Sequence, residues 1–146
     1  MAEESPKTEQ VDLKRAASAW APVLAYMAII FVLSAQSKLP ELPMPILSWD
    51  KAQHLAAYLG LALVAFRAAN LMPIAARPGS YVQSFILAAL YGASDEFHQK
   101  FVAGRSAQVG DWLADALGAA LALVILAVIS KCSANGGRRL GKAQRG

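Results

Sequence analysis

Residues 111–131 read DWLADALGAALALVILAVISK. Between Asp115 and Lys131 the stretch holds no charged side chain. Its length suits a helix that crosses a membrane, because at about 1.5 Å per residue a hydrocarbon core of roughly 30 Å takes about 20 residues. Working back along the chain, residues 80–98 and 51–72 are runs of similar length with polar groups near their ends, and residues 19–35, AWAPVLAYMAIIFVLSA, carry no charge at all. With 56% hydrophobic and 16% charged residues among 146, the chain is too apolar for an ordinary soluble domain and too short to add one beside four spans. The expected fold is therefore all-α, a four-helix transmembrane bundle over residues 18–131. A polar tail, 1–17, precedes it and a flexible basic tail, 132–146, follows.

The connections are short. Pro40, Pro43 and Pro45 interrupt helix after the first run, a turn falls around Pro73 to Gly79, and a loop containing Gly104 leads into the last run. A cleavable signal peptide fits the first run poorly, since Glu3, Glu4, Glu9 and Asp12 precede it and no small-residue cleavage site follows. Lys and Arg divide unequally between the two sides, ten in the tails and second connection against four (Lys38, Lys51, Lys100 and Arg105) elsewhere. The positive-inside tendency then places both termini in the cytoplasm and the first and third loops outside. Arg67 can extend its stem to the nearer interface, and Trp20, Trp49 and Trp112 fall at span ends, where an indole sits well at headgroup level. The single Cys132 excludes an intramolecular disulfide and a Cys-rich zinc site. The net charge of +4 is accounted for by this topology signal, so no nucleic-acid partner is expected. The basic carboxyl tail can also attract anionic lipid, at about 1 kcal/mol per Lys or Arg near the surface.

Threaded in this way, the external span ends collect Asp50, Lys51, His54, Asp95, Glu96, His98, Arg105, Asp111 and Asp115, including both histidines. A charge deep in a span costs about 2.5–3.5 kcal/mol on insertion scales, so such groups must pair with each other or bind something. Spacing groups them further. Asp50, His54 and Tyr58 share one helical stripe; Tyr91, Asp95 and Gln99 share another with His98 beside it; Asp111 and Asp115 begin a third, continued by Gly118 and Ala122. Three helices thus offer carboxylate, imidazole and amide groups to one partly buried site. Small residues along Ala114, Gly118 and Ala122 suit close helix packing.

These residues resemble the VanZ-like family of small bacterial membrane proteins. The resemblance rests on Ser34, Gln36 and Ser37; on Asp50, Lys51, His54 and Tyr58; and on Tyr91, Ser94, Asp95, Glu96, His98, Gln99, Phe101, Gly104 and Arg105, followed by Asp111, Asp115 and Gly118. Ala103 stands where Pro is common and Asp115 where Asn is often seen, which bears on loop rigidity and site charge. The resemblance implies a bacterial inner-membrane protein of the cell envelope, with relatives linked to glycopeptide (teicoplanin-type) resistance.

On this basis the expected function is to bind an anionic amphiphile or lipid-linked envelope precursor at an outward-facing polar pocket. The ligand-binding residues are Asp50, Lys51, Tyr58, Glu96, Gln99, Arg105, Asp111 and Asp115, with Lys51 and Arg105 as the charge partners. Arg105 beside Gly104 suits a phosphate or carboxylate, although it can equally pair with Asp111. The alternative is a membrane-embedded hydrolase or transferase with His54, Asp95 and His98 in acid–base roles, because His titrates near neutral pH. A third reading makes the charges a structural ion-pair network, with Asp50 capping its helix and the third-run acids paired to Arg105 and Lys100. A metal held by His54, His98 and Asp111 or Asp115 is conceivable by donor type, but no dedicated spacing such as His-Glu-x-x-His is present. Neither a metal nor a cofactor is assigned.

Overall fold

The computed structural model of the chain describes residues 6–37, 49–72 and 77–143. Four helices account for almost all of them: α1 (Pro6–Ser34), α2 (Trp49–Leu71), α3 (Arg77–Gln99) and α4 (Val109–Ala143), with no strand among the described residues. Lys38, the loop of Pro40, Pro43 and Pro45, the turn at 73–76 and Arg145 lie outside the described residues, as do the side chains of Trp49, Arg77, Arg138, Arg139 and Lys142.

Both terminal helices run further than the apolar runs that start them. α1 begins at Pro6, so most of the stretch expected as a polar tail is helical, and α4 continues past Lys131 to Ala143. Pro at a first helical position costs nothing, and extending a helix already nucleated by an apolar span fixes little extra chain for each bond gained.

Three helical stretches are long and apolar enough to cross a membrane: Leu13–Ser34, Asp50–Leu71 and Val109–Ala134. α3 has a comparable length, 23 residues, but is richer in polar groups. Those groups point inward: Ser80, Ser84, Asp95, Glu96 and Gln99 are buried, while Val82, Phe85, Ile86, Leu90 and Phe97 are exposed. The same inversion marks α1 and α4, whose outer faces carry Leu24, Ile29, Val32, Leu117, Leu121, Val124 and Val128. An apolar exterior around a partly polar interior is the arrangement that hydrocarbon stabilises and water does not.

α2 is the hub. It packs against the other three helices, α3 also packs on α4, and α1 leans on α2 with a slight contact to α3; α1 and α4 do not meet among the described residues. The α2–α4 seam is made of small side chains, with Ala62 and Ala68 facing Ala119, Ala122 and Leu123 in one cluster. A Cβ on Gly118 would collide with the Leu55 backbone, so the two helices approach closely at that position of the Ala114–Gly118–Ala122 stripe. The loose seating of α1 leaves a gap beside α2 and α3, and this gap positions the site.

Candidate functional site

The polar residues of α2, α3 and α4 meet at the end of the bundle where α2 and α4 begin. Lys51 donates to Asp111 Oδ1 at 2.6 Å, which ties the first turn of α2 to the first turn of α4. Arg105, in the loop between α3 and α4, donates from Nη1 to Asp50 Oδ1 at 2.8 Å and from Nε to the Gln36 carbonyl at 3.2 Å. That loop turns through Gly104, whose φ of 80° suits a residue without a Cβ. One guanidinium therefore holds the end of α1, the start of α2 and the α3–α4 loop together.

Beneath these pairs lies a second layer without Lys or Arg. His54 Nδ1 is 2.9 Å from Asp115 Oδ1 and 4.0 Å from Glu96 Oε1, and all three residues are buried. Glu96 Oε2 accepts the Gln108 backbone N–H at 2.8 Å, which joins α3 to the residue preceding α4. Asp115 fits because position 92 is glycine: a Cβ there would stand 2.7 Å from Asp115 Oδ2. Asp95 accepts from Gln99 Nε2 at 3.2 Å. Several buried atoms have no hydrogen-bond partner within the described residues, including Tyr58 OH, Asp95 Oδ1, Glu96 Oε1, Asp111 Oδ2 and Asp115 Oδ2. An unpaired buried acceptor or hydroxyl typically costs about 1–3 kcal/mol, so a group of them marks a place prepared for a partner.

A cavity of about 480 Å³ opens between α1, α2 and α3 beside this layer. Its surface is mostly apolar, with Tyr26, Ile30, Leu33, Ala56 and Ala57 among the lining residues, and polar groups of Ser34, Gln53, His54, Tyr58, Asp95, Gln99 and Arg105 are set among them. The size is within the usual range for small-molecule sites. His54 belongs to both features, since its ring lines the cavity and its Nδ1 faces Asp115.

A family model described as VanZ/LLP1 matches residues 19–130, which takes in all of the apolar core and the whole site. The chain belongs to the VanZ/LLP1 family. No curated protein and no solved structure matches it.

In this VanZ/LLP1 chain the residues singled out in the sequence separate into three groups. His54, Tyr58, Asp95, Gln99 and Arg105 line the cavity, Glu96 and Asp115 stand behind His54, and Asp50, Lys51 and Asp111 form the outer ion pairs. Lys51 is not on the cavity wall and its ammonium is engaged by Asp111, so of the two expected charge partners only Arg105 lines the cavity. Arg105 itself pairs with Asp50 and not with Asp111. His98 is apart from both histidine-centred acid groups: its ring stacks on Phe31 of α1 at 4.3 Å between centroids. The sequence offered no reason to prefer one histidine, but an exposed Phe97 and a buried Gln99 on either side of His98 turn it toward α1. Lys100 sits over the Phe97 ring instead of meeting the α3 acids. Sequence reading missed Tyr26, Ile30, Leu33 and Gln53 of the cavity wall and the Gln108 amide on Glu96. The α1 residues carry no signal because that run is apolar on every face, and a backbone amide leaves none.

Proposed function

We propose that this VanZ-like chain is a bacterial inner-membrane protein that crosses the bilayer four times, with both termini in the cytoplasm. We further propose that it binds an amphiphile with an anionic headgroup in the cavity beside α1. The observation that carries this reading is a mostly apolar cavity with a few polar side chains, Arg105, Tyr58 and Asp95 among them, on its lining. Among the described residues, Arg105 still has N–H groups free after serving Asp50 and Gln36 and the Tyr58 hydroxyl has no partner, so both can donate to a phosphate or carboxylate oxygen. Asp95 Oδ1 would accept a hydroxyl or amine of the same headgroup. A ligand bearing an anionic oxygen next to a donor, such as a phospholipid or a lipid-linked envelope precursor, satisfies all three. The family's link to teicoplanin-type resistance agrees with a ligand from the cell-wall pathway.

The test is thermal unfolding of the full chain in neutral detergent with added phosphatidylglycerol or phosphatidylcholine. Phosphatidylglycerol at ten times its dissociation constant should stabilise by about 1.4 kcal/mol, roughly 3–6 °C for a chain of this length. Phosphatidylcholine, without a donor in its headgroup, should stabilise less; Asp95→Ala should erase that difference, and Arg105→Ala should weaken stabilisation by both lipids. Equal stabilisation by both lipids in the parent protein would refute the reading.

A second reading is favoured by the His54–Asp115 contact of 2.9 Å, because an imidazole fixed by a buried carboxylate and facing a cavity can carry a proton in hydrolysis or group transfer on a headgroup. It requires that His54→Ala abolish turnover while lipid binding persists. The outer pairs, Lys51–Asp111 and Asp50–Arg105, need no ligand and act as ties between segments.

A further inference from the structure

We propose that His54, Glu96 and Asp115 form a site for one divalent cation of the Zn²⁺ or Mn²⁺ class, buried between α2, α3 and α4. The proposal does not rest on the occupant of the cavity. One ligand atom from each residue lies within 4.8 Å of the others, and each comes from a different helix. Metal–ligand bonds of about 2.0–2.2 Å around a tetrahedral ion set donors roughly 3.3–3.6 Å apart. The 2.9 Å from His54 Nδ1 to Asp115 Oδ1 and the 4.0 Å to Glu96 Oε1 lie on either side of that separation.

Independent of spacing, oxygens on both acids lack a hydrogen-bond partner among the described residues: Glu96 Oε1 and Asp115 Oδ2 are buried and unmatched there, in residues 8% and 0% exposed. Charge separates this cluster from its neighbour. Asp50, His54 and Asp111 also lie close enough to share an ion, but Arg105 already neutralises Asp50 and Lys51 neutralises Asp111. Among the described residues neither Glu96 nor Asp115 has a Lys or Arg partner, so two carboxylates are left in a membrane interior with only an imidazole nearby. An uncompensated buried charge is strongly destabilising, and a divalent ion balances two carboxylates and a neutral imidazole. Imidazole with carboxylate oxygens suits zinc or manganese better than calcium. The Gln108 amide on Glu96 Oε2 supplies the outer hydrogen bond that holds such a ligand in place. Coordination through Nδ1 requires the ring proton on Nε2, so loading releases Nδ1–H from its bond to Asp115.

The full chain, purified in detergent and stripped with a chelator, is titrated separately with Zn²⁺, Mn²⁺, Mg²⁺ and Ca²⁺. Bound metal is read by mass spectrometry of the washed protein, and for Mn²⁺ by loss of the free-ion electron paramagnetic resonance signal. Roughly one Zn²⁺ or Mn²⁺ per chain is expected, with a rise in unfolding temperature. Glu96→Gln and Asp115→Asn should weaken binding by about tenfold or more, and Asp111→Asn should keep it. Glu96→Gln retains an acceptor for the Gln108 amide, so it decides the matter with the parent titration if Asp115→Asn does not fold. No stoichiometric binding by the parent, undiminished binding by Glu96→Gln, or a loss confined to Asp111→Asn would overturn the proposal.

Discussion

Replacing Lys51 with Met should harm the protein more than replacing its partner Asp111 with Asn, although each removes the same contact. The reason is burial: the Lys51 side chain is 32% exposed and that of Asp111 is 1% exposed. At 2.6 Å the direct attraction at an effective dielectric near 20 is about 6 kcal/mol, most of which is offset by desolvation. Lys51→Met keeps the stem that packs against Gly110 and strands a carboxylate with no route to water. Breaking a buried pair costs about 3–5 kcal/mol, and partial exposure of the ammonium lowers this to about 2–3 kcal/mol. Asp111→Asn leaves an ammonium that can swing outward, at about 1 kcal/mol for the lost charged hydrogen bond. With roughly 2–4 °C per kcal/mol, the first variant should lose about 4–12 °C in unfolding temperature and the second about 2–4 °C. The double variant should resemble Asp111→Asn, because no charge is stranded. Circular dichroism of the helix signal during heating in detergent measures all three. An equal loss in the two single variants, or additive losses in the double, would refute the burial argument.

Other outcomes follow from the same geometry. Gly92→Ala should cost about 1–3 kcal/mol and displace Asp115 from His54, seen as lower unfolding temperature together with loss of any metal bound there; an alanine variant as stable as the parent would contradict the close approach at that position. In a Cys132→Ser background, Ala103→Cys in the α3–α4 loop should react with an impermeant maleimide on intact cells, whereas native Cys132 should react only after the inner membrane is opened; the reverse pattern would invert the proposed orientation.

The helices were readable because an apolar span and a membrane thickness impose the same length. Residues 51–72 and 80–98 correspond closely to α2, Trp49–Leu71, and α3, Arg77–Gln99. The shared face of Asp50, His54 and Tyr58 followed from helical periodicity, since residues four apart point one way. Partner choice was not readable. Lys51 finds Asp111 and Arg105 finds Asp50 across separations of 60 and 55 residues, and the rotation of each helix about its axis decides such pairs. The cavity was hidden for a different reason: it arises from the looseness of α1 against α3, a property of packing between apolar surfaces that have no pattern. α3 illustrates the opposite limit, where mean hydropathy understates a helix whose polar face is turned inward and whose exposed face carries Val82, Ile86 and Leu90.

The central claim is that the α1–α2–α3 cavity holds an amphiphile, and native mass spectrometry of the gently extracted protein tests it most directly. Ala57 lines the cavity, so Ala57→Trp fills the space while leaving every ion pair intact. The parent should carry an adduct of lipid mass that survives dilution of detergent, and the tryptophan variant should fly without it. A bare parent protein, or an adduct that persists in Ala57→Trp, would contradict the account.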